Sequence, residues 1–329
     1  MKKIKILELG GTISAKGNHR LDYKDYQSGV YDGDAFLTDI PELKNIADVT
    51  FETFTRLSST AIQPYHWLAL RKKIIHALEV EKMDGIVVTH GTNTLEETAY
   101  FLHLTLPTTK PIIITGAQRP YTAFSTDGPN NLIQSIRAAA SEAAQHKGVL
   151  VLLNDELNSA REATKTNTYR LEAFQSGQLG FLGYVDADGK TIFYRTPHKT
   201  HTAASIFSTI DNEHLPAVEI VYSYAGATSD YIEYLTKAKK TDGIVVAGTG
   251  AGLVSPQEQR ALKAASASGI TIVRSSRVGN GRVLPVELYE NTSFIAADNL
   301  NPQKARILLM LSLVLTSNST EIQHYFQEY

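Results

Sequence analysis

Ile4-Lys5-Ile6-Leu7-Glu8-Leu9-Gly10-Gly11-Thr12-Ile13 is a mostly apolar run that ends in two glycines and a threonine. The run reads as a buried strand, and the glycine pair as a sharp turn at its carboxyl end. In an open parallel α/β sheet the carboxyl ends of the strands converge on a cleft, and glycine there admits a ligand that a Cβ would block. Thr12 therefore stands where a nucleophile would. The pattern recurs when the apolar run 85–88 leads into Thr89-His90-Gly91-Thr92-Asn93-Thr94. A tight turn with a capping threonine accounts for one such motif; two of them at strand ends point to one shared crevice. Thr94-Leu95-Glu96-Glu97 reads as a capping box, setting Thr92 and Asn93 against a helix N-terminus. Free amides at such a terminus favour a carboxylate or a developing oxyanion.

Working outward, apolar runs at 4–9, 85–88, 112–115, 149–153, 218–221, 243–247 and 270–273 alternate with segments of helical period at 65–81, 96–104, 130–145, 229–238, 256–268 and 302–316. That alternation predicts an α/β protein whose parallel strands are joined by crossover helices in a doubly wound sheet. A length of 329 residues exceeds what one hydrophobic core comfortably serves, so two domains are expected. Residues 194–215, rich in threonine and serine around Thr196-Pro197-His198, carry neither period and read as the linker. A larger amino-terminal catalytic domain, 1–193, and a smaller carboxy-terminal α/β domain, 216–329, follow.

Composition narrows the function. Lysine and arginine total 32 against 34 acids, so no strong field points to nucleic acid or to an anionic membrane. A small polar partner is the better expectation. With no cysteine, thiol nucleophiles, disulfides, iron–sulfur clusters and cysteine-ligated zinc are excluded. No apolar stretch is long enough to span a bilayer, and Met1-Lys2-Lys3-Ile4 runs directly into the first strand without an apolar leader core, so a cytoplasmic location is expected. Neither a His-Glu-x-x-His helix nor a paired carboxylate of ligand spacing occurs; no metal and no cofactor are expected. A Gly-x-Ser-x-Gly elbow is missing, and Gly248-Thr249-Gly250-Ala251-Gly252 lacks the acidic partner a dinucleotide ribose needs.

Two further stretches bear on the crevice. Thr164-Lys165-Thr166-Asn167-Thr168 embeds a lysine among hydroxyls, where it can hydrogen-bond and polarise a threonine; as an isolated feature it is an ordinary loop lysine. The loop 14–34 contains Gly17, Gly29 and Gly33 with Tyr23, Tyr26 and Tyr31. Following a nucleophile, a loop of that length reads either as a lid that excludes water or as a flexible insertion.

Taken together, Gly10-Gly11-Thr12-Ile13, Thr89-His90-Gly91-Thr92 with Leu95-Glu96-Glu97, Gly116-Ala117-Gln118-Arg119-Pro120 with Asp127-Gly128-Pro129, Thr164 to Thr168, Arg274-Ser275-Ser276-Arg277 and Leu300-Asn301-Pro302 closely resemble the bacterial L-asparaginase family. The resemblance runs over nearly the whole chain. It implies an amidohydrolase that converts asparagine to aspartate and ammonia, with Thr12 as nucleophile and Tyr26 as its proton partner, Tyr23 being the rival. It further implies that Thr92 and Lys165 form a second polar cluster facing the same carbonyl. Gly11, Ser59, Thr60, Asn93, Ala117 and Glu287 would bind substrate, with the Ser59 hydroxyl on the substrate's carboxylate. A homotetramer, with sites shared between subunits, is likewise implied by the resemblance alone.

The chain also departs from that pattern. Where the family carries aspartate after the second threonine this chain has Asn93, which removes a charge-assisted contact to the substrate's α-ammonium worth about 1.5–3 kcal/mol. Thr60, Ala251 and Glu8-Leu9 are departures too. An inactivating Asp-to-Asn exchange accounts for Asn93 alone. Reorganised ammonium recognition accounts for all of them if Glu8 or Glu287 supplies the missing charge. A substrate lacking the ammonium, such as another ω-amide or an imide, is a third reading, and a catalytically impaired amino-acid sensor a fourth.

Overall fold

The computed structural model describes residues 1–329, and the chain separates after Ile210 into two compact units. That division falls within the stretch 194–215. No helix is long and apolar enough to cross a membrane.

In the first unit, β1 (Lys3–Gly10), β2 (Asp48–Leu57), β3 (Gly85–Thr89), β4 (Ile112–Thr115), β5 (Val149–Leu153), β6 (Glu156–Ser159), β7 (Gly183–Val185) and β8 (Thr191–Phe193) form one sheet. Their spatial order is β8-β7-β6-β5-β4-β3-β1-β2. The strands β2, β1, β3, β4 and β5 are parallel, while β5 to β8 continue as an antiparallel meander. The sheet is thus parallel only where the helical crossovers are. The meander strands of three or four residues are too short to show a period in sequence. The ten-residue edge strand β2 escaped notice because its half-exposed side chains are a mixture of charged and apolar types.

Helices α1 (Gly33–Asp39), α2 (Leu43–Ile46), α3 (Pro64–Glu79), α4 (Leu95–Thr105) and α5 (Gly128–Ala140) cover this sheet. Ile4, Ile6, Val87, Ile113, Leu150 and Leu152 pack into one core with Leu132, Ile136 and Ala139 of α5. The intervening Ile86, Val88, Ile112, Ile114 and Val151 are equally buried and, by the two-residue alternation of a strand, face the other way, toward the α3 and α4 side. Both faces of the central strands are therefore dry, which explains their unbroken apolar runs. Lys5, inside this buried strand, is tolerated because its Nζ pairs at 2.6 Å with both Glu52 and Glu81. The segment expected to be helical over 130–145 stops at Ala140. Ser141 turns extended, and its Oγ accepts from the Ala143 N–H to start a separate short turn, Glu142–Ala144.

The second unit is a four-stranded parallel sheet of β9 (Val218–Tyr222), β10 (Gly243–Gly248), β11 (Thr271–Ser276) and β12 (Ile295–Ala296), in that order. Ile232 and Leu235 of α6 (Asp230–Ala238) and Ala261, Leu262 and Ala265 of α7 (Pro256–Ala267) bury one face of it. Helix α7 opens with a formed capping box between Ser255 and Glu258 behind a first-turn proline. Helices α8 (Pro302–Leu315) and α9 (Ser319–Glu328) complete the unit.

Candidate active site

Strands β1 and β3 lie side by side with Glu8 opposite Thr89, so the two threonine-bearing turns leave the sheet at the same level. Gly10 and Gly11 take φ values of +94° and +87°. A Cβ on Gly11 would fall 2.4 Å from the Cα of Gly91, and one on Gly91 would fall 2.8 Å from the Ser59 Oγ. Backbone thus rests on backbone, which only glycine at both positions allows. The turns of Thr12 and Thr92 are joined there, with Ser59 laid over the second.

The hydroxyl of Thr12 is 3.0 Å from that of Tyr26, and Lys165 Nζ donates to Thr92 Oγ1 at 2.8 Å. Two short ribbons bring these partners in. Lys16–Gly17 pairs with Tyr26–Gln27, and Thr164–Lys165 pairs with Phe174–Gln175. Tyr26 rather than Tyr23 reaches Thr12; the Tyr23 hydroxyl donates to the Phe124 carbonyl at 3.4 Å, and its ring lies beneath the Arg119 guanidinium. The loop 14–34 is fastened at its far end by Arg56, which pairs with Asp32 at 2.9 Å and donates to the Gly29 carbonyl. Burial holds the Lys165 ammonium below its ordinary pKa. Such a lysine loses its proton more readily than a solvated one and can then serve as a base toward Thr92. Thr12 and Thr92 are 7% and 5% exposed, and neither backbone N–H is taken by an acceptor within the chain. Two free donors beside two hydroxyls can receive a developing oxyanion.

A buried hydrogen-bond chain fixes the second turn. Trp67 Nε1 can only donate, and it gives its proton to Thr98 Oγ1 at 2.9 Å. His90 Nδ1 lies 2.7 Å from the Gly91 carbonyl, an acceptor only, so Nδ1 carries the proton. Nε2 of the neutral ring must then accept from Thr98, 2.9 Å away. Burial pushes the His90 pKa down to about 4, keeping the ring in that neutral tautomer. Beside this turn, the Asp127 carboxylate accepts from the backbone N–H of Gln118 and Arg119 at 2.9 Å each and from Asn131 Nδ2 at 3.2 Å. It fastens the end of β4 to the start of α5.

The resulting crevice holds about 560 Å³ and is lined by Tyr26, Thr92, Asn93, Gln118 and Lys165 among others. Several expectations change against this geometry. The capping box at Thr94 does not form: Thr94 Oγ1 donates to the Ser59 carbonyl at 2.7 Å and so is lost to its own helix. Glu8 does not supply charge to the crevice. Its carboxylate accepts from Thr53 Oγ1 at 3.1 Å and lies by Gly33, Asp32 and Arg56 beneath the loop root, where burial raises its pKa. Asn93 lines the crevice, but its carboxamide makes no hydrogen bond, and the Lys165 ammonium hydrogen-bonds to Thr92 alone. Ser59 accepts from the Asn93 N–H at 3.2 Å, leaving its own hydroxyl proton to donate. Thr60 is exposed and pairs with Ser58, and Ala117 is wholly buried, next to the crevice-lining Gln118. Glu287 belongs to the second unit, in the turn Glu287–Tyr289. Gln118, Asp127 and the Trp67–Thr98–His90 chain were not singled out from sequence; for Gln118 the signal was its place beside Ala117 at a strand end. No group of three or more histidines or carboxylates capable of holding a metal ion is present.

Two family models match the chain: the asparaginase N-terminal domain over residues 3–199 and the glutaminase/asparaginase C-terminal domain over 217–326. An L-asparaginase 2 of Bacillus subtilis is 42% identical over 329 residues, covering 100% of this chain and 87% of that protein. A glutaminase-asparaginase of Pseudomonas fluorescens is 39% identical, covering 100% of this chain and 91% of that one. A crystal structure described as a probable cytoplasmic L-asparaginase from Campylobacter jejuni superimposes with a TM-score of 0.95 at 40% identity and full coverage of both chains.

Proposed function

The chain belongs to the asparaginase family, an amidohydrolase acting on L-asparagine, and we propose how its crevice carries out the hydrolysis. Thr12 Oγ adds to the side-chain amide carbon, and its proton passes by way of Tyr26 to the departing nitrogen, which leaves as ammonia. The 3.0 Å contact between the two hydroxyls is the observation that carries this assignment. A water then adds to the acyl carbon, and its second proton returns to Thr12 as aspartate is released. Lys165, through Thr92, is the basic partner of that second step. The backbone N–H groups of Thr12 and Thr92 receive the oxyanion, a role in which one donor is worth about 3–4 kcal/mol.

Ser59 donates to the substrate α-carboxylate, Gly11 and Ala117 contribute backbone to the substrate's bed, and Thr60 and Asn93 border it. Glu287 is proposed for the ammonium side of a site shared between subunits, as the resemblance implies. A homotetramer and a cytoplasmic location remain proposals, the first resting on the resemblance, the second on the description of the Campylobacter neighbour.

Ammonia release from L-asparagine, D-asparagine, L-glutamine and succinamate by the parent protein, Thr12→Ala and Thr92→Ala tests this reading. Turnover of L-asparagine by the parent and its loss by at least 10³-fold in both variants, with unchanged circular dichroism, is the expected result. Retained turnover in either variant would overturn the mechanism, and turnover of succinamate alone would overturn the substrate.

A further inference from the structure

Gln118 is the first residue after the backbone clamp at the end of β4. Its N–H is held by Asp127 at 2.9 Å, and the next N–H, on Arg119, is held by the same carboxylate. Asp127 is in turn tied to Asn131, whose Nδ2 also donates to the Gly116 carbonyl at 2.9 Å. The Gln118 backbone therefore cannot drift. Its side chain is 6% exposed and lines the crevice together with Thr92 and Lys165. It also forms part of the wall, with Lys24 and Tyr169, between the crevice and a neighbouring hollow. In that setting Nε2 has no hydrogen-bond partner.

A buried amide donor without an acceptor is costly, because the protein returns nothing for the water it displaced. The same side chain could be leucine or methionine at no such cost if its role were only to fill space. Such a defect in a site wall is relieved when the side chain turns its donor into the crevice toward a ligand that brings the acceptor. Gln118 lines the same crevice as Tyr26, Thr92 and Lys165, the groups that in the reading above act on the carboxamide of the substrate. We propose that Gln118 is a specificity-determining residue that donates from Nε2 to an oxygen at the ω-carboxamide end of the substrate. The inference rests on that reading of the crevice and adds a contact to it.

The test is steady-state kinetics of Gln118→Met and Gln118→Glu on L-asparagine and succinamate, with thermal midpoints measured alongside. Both substrates present the same carboxamide, and only asparagine has the ammonium. Gln118→Met should raise KM about tenfold on both substrates by the same factor, with kcat changed less and the midpoint no lower than the parent's. Gln118→Glu, which replaces the donor by an acceptor of like shape, should be at least as impaired. An unchanged KM in Gln118→Met, or a rise confined to asparagine, overturns the proposal; so does a lowered midpoint with loss confined to kcat, which would mark a structural role. Thr12→Ala separates the two inferences. If it is inactive while Gln118→Met is unaltered, only the role of Gln118 falls; if it keeps turnover, the reading of the crevice falls first.

Discussion

Replacing Gly11 with alanine puts a methyl group where the backbone of Gly91 already sits. The new Cβ would lie 2.4 Å from Gly91 Cα and 2.5 Å from Gly91 N, whereas ordinary contact begins at 3.4 Å, so the two turns must part by about 1 Å. The φ of +87° with ψ of −171°, a region essentially reserved for glycine, adds about 1–3 kcal/mol of strain for any residue with a Cβ. Thr12 and Thr92 ride on those two turns, and a 1 Å misplacement of reacting groups costs on the order of 10²-fold in rate. We expect kcat/KM for asparagine to fall about a hundredfold and the midpoint to drop by about 4–8 °C for a loss near 2 kcal/mol. Gly226→Ala is the control. Its φ is +82° with no atom within 4 Å of the built Cβ, so it should show the backbone strain and leave activity within about twofold. Coupled ammonia release and thermal unfolding, run on both variants, measure the two quantities. If Gly11→Ala kept activity within threefold while folded, or if Gly226→Ala lost as much, the claim that the glycine contact sets the threonine spacing would be wrong.

Other consequences can be checked in parallel. His90, with its folded pKa near 4 against 6.5 when unfolded, binds its proton more weakly in the native state, so stability is lost as pH falls from 6.5 toward 4. That loss should amount to about 3 kcal/mol and be absent from a His90→Gln variant compared by denaturation at pH 7 and pH 4.5. Thr98→Val leaves Trp67 Nε1 and His90 Nε2 both buried without partners, for a destabilisation of about 2–4 kcal/mol in urea unfolding. Lys165, whose pKa is lowered by burial, should give a kcat/KM that rises with pH along a limb centred below 10.5; Lys165→Arg, which stays protonated, should show a depressed rate and no such limb. For stability the same lysine has the same sign as His90, in a more alkaline window. The unfolded chain holds the proton more tightly between the folded pKa and 10.5, so stability rises with pH there.

The central strands could be read from sequence because both of their faces are buried, and continuous runs such as Ile112 to Thr115 have no other explanation. Helices with an amphipathic stripe and a hard stop, such as Pro256–Ala267, were equally legible. What stayed hidden depends on tertiary partners. The meander strands β6 to β8 have only three or four residues, and Asp48–Leu57 is an edge strand whose polar side chains are held by neighbours from elsewhere in the chain. At the site, Thr12, Thr92 and Lys165 stand in motifs of their own, whereas their pairings, and Tyr26 over Tyr23, came from the resemblance alone, because the two-residue ribbons that bring the partners in show no period in sequence. Glu8 misled because a strand-end acid can face either side of its sheet, and this one faces the loop root. Gln118 stands beside Ala117 in a strand-end motif, but its unpaired amide has no signal in sequence because it is a property of its surroundings.

The stacking of Gly11 on Gly91 also bears on how the sheet finds its pairing. Sliding β1 by one residue against β3 would reverse the side-chain faces, and it would also bring Gly10 or Thr12 over the second turn, where Thr12 would collide with backbone. The slip that brings Thr12 there is blocked by the turn, and the slip that brings Gly10 there is opposed by the reversal of the side-chain faces. The contact that spaces the hydroxyls therefore acts as a proofreader for strand pairing, and a chain caught in a shifted alignment would be recognisable during refolding as compact, rich in secondary structure and inactive.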